Sequence, residues 1–116
     1  MLQRGEFAKY HALGNDYLVA DPEFRPTVAR VRALCDRNRG VGADGVLAFA
    51  APQRAPFRLR IFNPDGSEAE TSGNGLRIFA RALHDLGYTR QRAFGIETAG
   101  GIMTKLISWR PRHVPG

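Results

Sequence analysis

Cysteine is almost absent from this chain. Cys35 stands alone, which excludes an intramolecular disulfide and suits a reducing compartment. Lysine is nearly as scarce: of 17 basic residues only Lys9 and Lys105 are lysines, and neither lies in a pattern suited to a cofactor aldimine. No cofactor is expected. No apolar run approaches the roughly 20 residues of a membrane span, so no membrane partner is expected. The opening stretch MLQRGEFAKYHALGND lacks an apolar core followed by small residues, which reads against a secretory signal and for a cytoplasmic location. His11, His84 and His113 are far apart, with no carboxylate or cysteine at metal-ligand spacing, so no metal is expected.

What remains is the composition of one folded domain. The 116 residues are 43% hydrophobic, enough for a core but not for two domains. The formal charge of +6 suits an anionic ligand, yet the arginines are scattered and lack aromatic interleaving. No zinc-finger, RRM or KH signature accompanies them, and nucleic acid is not expected.

Turn residues and periodicity divide the chain. EFAKYHALGNDYLVAD reads as two short strands interrupted at Gly14-Asn15-Asp16. Thr27 caps a helix in TVARVRALCDRNRG, with Val28, Val31, Leu34 and Cys35 at helical spacing and Gly40 as its end. Cys35 then belongs to the core and is inert. GVGADGVLAFA is a glycine-rich turn into a buried strand, and APFRLRIFN alternates Phe57, Leu59 and Ile61 with Arg58 and Arg60. NPDGSE is a turn. A helix runs from about Ser72 to Leu86, stopping near Gly87, and AFGIETAGGIMTKLISW supplies two strands about a glycine hinge. The expected domain is residues 1–106, followed by a tail, residues 107–116.

Ser72-Gly73-Asn74-Gly75 is the unusual stretch. A serine cap alone is ordinary. Glycines at the first and third helical positions are costly in a helix and are better explained by bare N–H groups that face an anion, where the macrodipole adds positive potential. Asn15 and Asn63 each stand beside a turn, and turn chemistry alone accounts for them when each is taken separately.

Together, KYHALGNDYLVAD, DRNRGVGADGVL and RIFNPDGSEAETSGNGLRIFARAL resemble, in order and interval, the first half of diaminopimelate epimerase, from about Phe7 to Lys105. The resemblance implies an α+β fold: a curved mixed β-sheet or barrel wrapped around the central helix, with the helix of residues 27–36 packed outside. It also implies a cofactor-independent inversion at an amino-acid α-carbon, interconverting LL- and meso-diaminopimelate for lysine biosynthesis. Such a reaction needs preorganised donors at the substrate carboxylate and two proton-transfer groups on opposite faces. In the family both groups are cysteines, one from each of two similar halves. Carried over, Asn15 and Asn63 match substrate-contacting asparagines, and Gly73 and Asn74 match the backbone pair that holds the carboxylate. Ser72 matches the first catalytic cysteine. Gly45 stands where some members have a substrate-binding Gln.

Two departures follow. Ser72 replaces a thiol with a far less acidic hydroxyl, and no His or Lys in the motif is placed to activate it. In the wider superfamily such an exchange accompanies one-sided proton transfer. No second motif with the partner cysteine is present. The expectation is one half of an epimerase acting on a small amino acid, inactive alone, and completed by a second half-domain or in a homodimer. A related amino-acid racemase or lyase and a non-catalytic amino-acid-binding domain remain open alternatives.

Overall fold

The computed structural model describes residues 1–106, with side-chain surroundings through Met103. The expected tail, residues 107–116, lies outside the described residues. In chain order the elements are β1 (Phe7–Ala12), β2 (Asn15–Ala20), α1 (Val28–Cys35), β3 (Val46–Ala50), β4 (Phe57–Phe62), β5 (Glu68–Ala69), α2 (Gly73–Asp85), β6 (Ala93–Thr98) and β7 (Gly101–Leu106). The strands make one mixed sheet, ordered β1-β2-β3-β4-β6-β7, with β5 paired to β4 off that path. β2 with β3 and β4 with β6 run parallel; the other pairs are antiparallel. The fold is α+β, as expected, and the sheet is open, its path ending at β1 and β7.

Alternation along the strands sorts the apolar side chains into two cores. Val19, Leu47, Leu59, Ile61, Phe94 and Ile96 face α2 and pack on its Leu76, Phe79 and Leu83. Leu18, Ala20, Val46, Ala48 and Phe62 face the other way and pack with Val31 and Cys35 of α1. α2 is apolar almost all round. Its solvent stripe is Gly73, Arg77, Arg81 and Asp85, spaced four apart, while Leu76, Ile78, Phe79, Ala80, Ala82 and Leu83 are buried. Phe79 is fully enclosed and meets Phe49 edge to face at 5.0 Å. Burial of such side chains contributes about 1.5–3 kcal/mol each. Beyond its C-cap, Leu86, the Gly87 N–H bonds to the His84 carbonyl at 3.2 Å and the Tyr88 N–H to that of Leu83 at 2.9 Å, a Schellman stop.

Three details differ from the sequence reading. The first turn is Leu13-Gly14, not Gly14-Asn15-Asp16. Both residues have positive φ (50° and 83°), the geometry of a two-residue hairpin whose twist matches the strands, and Asn15 and Asp16 thereby become the first residues of β2. α1 spans Val28–Cys35 between the caps Thr27 and Asp36, matching the expected helix of residues 27–36, so the stop signal at Gly40 is not where it ends. Asp36 caps it, and its carboxylate accepts the N–H groups of Asn38 (2.8 Å) and Arg39 (3.1 Å), pulling the chain off the helix. Gly40 then crosses the helix end so closely that a Cβ would lie 1.9 Å from the Ala33 carbonyl oxygen. The short strand β5 was not anticipated; it turns the segment after Asn63 back along β4 and delivers the chain to α2.

Candidate active site

The sheet register gathers the candidate residues. Leu18, Val46 and Phe62 are neighbours across β2, β3 and β4. Asn15, Gly45 and Asn63 therefore emerge at one end of the sheet, and the start of α2 lies there too.

Ser72 caps α2: with extended backbone (φ −151°, ψ 121°), its Oγ accepts the Gly75 N–H at 3.0 Å and its carbonyl accepts the Leu76 N–H at 2.9 Å. The N–H groups of Gly73 and Asn74 have no hydrogen-bond partner among the described residues. The two glycines serve different ends. Nothing lies within 4 Å of where a Gly73 Cβ would be, so the approach to these N–H groups is open, whereas at Gly75 a Cβ would press on Leu47 at 3.2 Å. Ser72 is thus a cap that also borders an open pair of backbone donors.

The Asn74 amide donates to Asn15 Oδ1 at 2.8 Å and its Oδ1 accepts from Arg77 at 3.1 Å. Asn15 Nδ2 in turn reaches Asp44 Oδ2 at 3.4 Å. Behind this pair lies a charged cluster. Arg37 forks onto Asp16 (3.2 and 2.9 Å) and also donates to Asp44 at 3.0 Å, while Lys9 Nζ stands 3.4 Å from Asp16. The hydrogen bonds from Arg37 hold the Asp16 carboxyl well below the usual carboxylate range, against the opposing effect of burial. The Asp44 carboxylate also accepts the Asp16 N–H at 2.9 Å, which fixes the start of β2 and with it Asn15.

Of the residues singled out from sequence, Asn15, Ser72, Gly73 and Asn74 are brought together. Asn63 reaches the same end of the sheet but bonds within its own turn, its amide donating to Ser67 Oγ at 3.0 Å and its N–H to the Ser67 carbonyl at 2.8 Å. Cys35 lies on the opposite side of the sheet from α2, and burial pushes its thiol pKa up. Among the described residues no group of three or more His, Cys, Asp or Glu is disposed to hold a metal ion.

Sequence reasoning missed Tyr17, whose hydroxyl lies 3.2 Å from Ser72 Oγ, and the supporting Asp44, Arg37 and Asp16. A signal for Tyr17 was available: with period two, Asn15, Tyr17 and Val19 share one face of β2. Nothing comparable announced Arg37, which lies in the turn just after α1.

The family model for diaminopimelate epimerase matches residues 7–111. Diaminopimelate epimerase 2 of Nostoc sp. is 56% identical over 106 residues, covering 88% of this chain and 37% of that protein. The corresponding epimerase of Azoarcus sp. is 46% identical, covering 87% and 38%. Among solved structures, a hydroxyproline epimerase from Agrobacterium vitis superposes with a TM-score of 0.67 at 22% identity, covering 84% of this chain and 35% of that one. The chain spans about two-fifths of the length of the curated relatives it matches.

Proposed function

Because the chain belongs to the diaminopimelate epimerase family, we propose that it supplies the carboxylate-holding half of a cofactor-independent amino-acid epimerase site, with diaminopimelate as substrate in cytoplasmic lysine biosynthesis. The observation that carries this reading is the pair of N–H groups, Gly73 and Asn74, without a partner among the described residues, at the open start of a helix whose apolar faces are buried against the sheet. Two such donors and the helix dipole favour a carboxylate, and they also stabilise the charge that develops when the neighbouring α-proton leaves. Asn15 and Asn63 are the proposed substrate contacts, and Ser72 occupies the position of the reacting group.

Inversion requires proton transfer on both faces of the α-carbon. Among the described residues Ser72 stands at the position of the reacting group, and Cys35 is behind the sheet. The partner in this reading is a second epimerase half-domain, in a longer chain or in another copy, and residues 1–106 are the unit that would pair with it. Alone, the chain is expected to bind and not to epimerise.

Solvent deuterium incorporation at the α-carbons of LL- and meso-diaminopimelate tests this, comparing the natural chain with Ser72→Cys. Exchange by the variant alone supports a competent cradle silenced by the hydroxyl. Epimerisation by the natural chain would overturn the assignment of Ser72. Absence of both binding and exchange in both proteins would overturn the carboxylate-holding reading itself.

A further inference from the structure

Tyr17 stands on β2 two residues beyond Asn15, on the face toward α2, and its hydroxyl reaches Ser72 Oγ at 3.2 Å. Its ring occupies the space over Gly45, where a Cβ would lie 2.8 Å from Tyr17 Cε1 and 2.6 Å from the Phe62 carbonyl oxygen. Glycine at position 45 and a tyrosine at position 17 are therefore one arrangement: the missing side chain makes room for the ring, and the ring carries its hydroxyl to Ser72.

A serine hydroxyl has one proton and two lone pairs. The Gly75 N–H occupies one lone pair at 3.0 Å. Either hydroxyl could donate across the 3.2 Å between them, and a phenol, the stronger acid, is the better donor, which favours the direction from Tyr17 to Ser72. In that direction the bond fills the second lone pair. The Ser72 proton is then free to turn to the open side, where the Gly73 and Asn74 N–H groups also lack partners.

We propose that Tyr17 is a positioning residue that holds the Ser72 hydroxyl as a hydrogen-bond donor toward a carboxylate oxygen of the bound amino acid. For its ligand this rests on the carboxylate-holding reading above. The helix start then presents three donors, and Ser72, with both lone pairs engaged, holds an oxygen and does not accept an α-proton. Tyr17 acts through Ser72 and needs no contact of its own with the ligand.

Carbon NMR of the full chain labelled at tyrosine 13Cζ, in a mixture of light and heavy water, reads the bond directly. A held donor exchanges its hydroxyl proton slowly, and the Tyr17 signal is expected as two lines, one per isotope. In Ser72→Gly, whose residue is a tolerated helix cap, they should merge into one. A single line in the natural chain, or two lines that survive Ser72→Gly, would overturn the inference. The second arm is a titration with meso-diaminopimelate followed at the Gly73 and Asn74 amides. Tyr17→Phe keeps the ring and removes only the oxygen. Both Tyr17→Phe and Ser72→Gly should weaken binding roughly three- to tenfold, about one hydrogen bond, and the double variant no further than either single. Additive losses would refute action through Ser72. Two carbon lines with no shift of those amides would overturn the carboxylate reading while sustaining the bond from Tyr17 to Ser72.

Discussion

Gly45 has no room for a side chain, because the Phe62 carbonyl and the Tyr17 ring already occupy it. The first neighbour is backbone and cannot yield; the second can swing only by leaving Ser72. Gly45→Ala is therefore expected to cost about 1–3 kcal/mol, as overpacking of a tight site does. Urea unfolding measures it, and a loss within experimental error would show that the contact relaxes freely. At this scale the sequence was informative about Gly73 and Gly75, which are odd at a helix start, whereas Ser72, Asn74 and Asn15 stood out only through the family resemblance. It was silent about Tyr17, because a tyrosine in a strand is ordinary and only its partner makes it notable.

At the scale of elements, α2 is fastened to the sheet by more than its apolar face. Tyr10 of β1 donates its hydroxyl to Asp85 in the last turn at 3.2 Å. Burial, and then the nearby Asp85 charge, push the Tyr10 phenol from 10.0 up to about 12. A raised value in the folded state means the contribution to stability is complete below the unfolded value near 10 and is lost as pH climbs toward 12. The stability difference between the natural chain and Tyr10→Phe should close across that window. An absorbance titration that finds this phenol ionising near 10 would refute the contact. Of the elements in the described residues, both helices and six of the seven strands were legible, because their periodicity and stops are local. β5 was not: two residues carry no period, and they become a strand only by lying beside β4. The range of α1 was legible as residues 27–36, but Gly40, which looks like its stop signal, is there for a close crossing.

Across the whole molecule, the charged cluster ties α1's far end to the starts of β2 and β3. Asp16 is buried, and Arg37, Asp44 and Lys9 surround it. Its depressed ionisation means the cluster contributes fully above the ordinary carboxylate value of about 4 and weakens as acid is added below it. Asp16→Asn should therefore lower Tm at neutral pH, with the gap to the natural chain narrowing as pH falls below about 4. Thermal melts across that range check it; a gap independent of pH would mean the charge on Asp16 is not what stabilises. No local pattern could have revealed this cluster, because Arg37 and Asp16 are 21 positions apart.

The bonds that join the two sides of the site span longer stretches still: Asn74 to Asn15 over 59 positions, Tyr17 to Ser72 over 55. Closing loops of that length costs about 3–4 kcal/mol of chain entropy beyond a constant, and it is repaid only once the sheet between them has formed. In kinetic terms such contacts of high sequence separation are the slow ones to form, so the site is expected to assemble late in folding. No early hairpin or isolated helix can carry it. Its population follows that of the native state, so a core substitution far from Ser72 that doubles the unfolding rate without changing the folding rate also halves the lifetime of the assembled site.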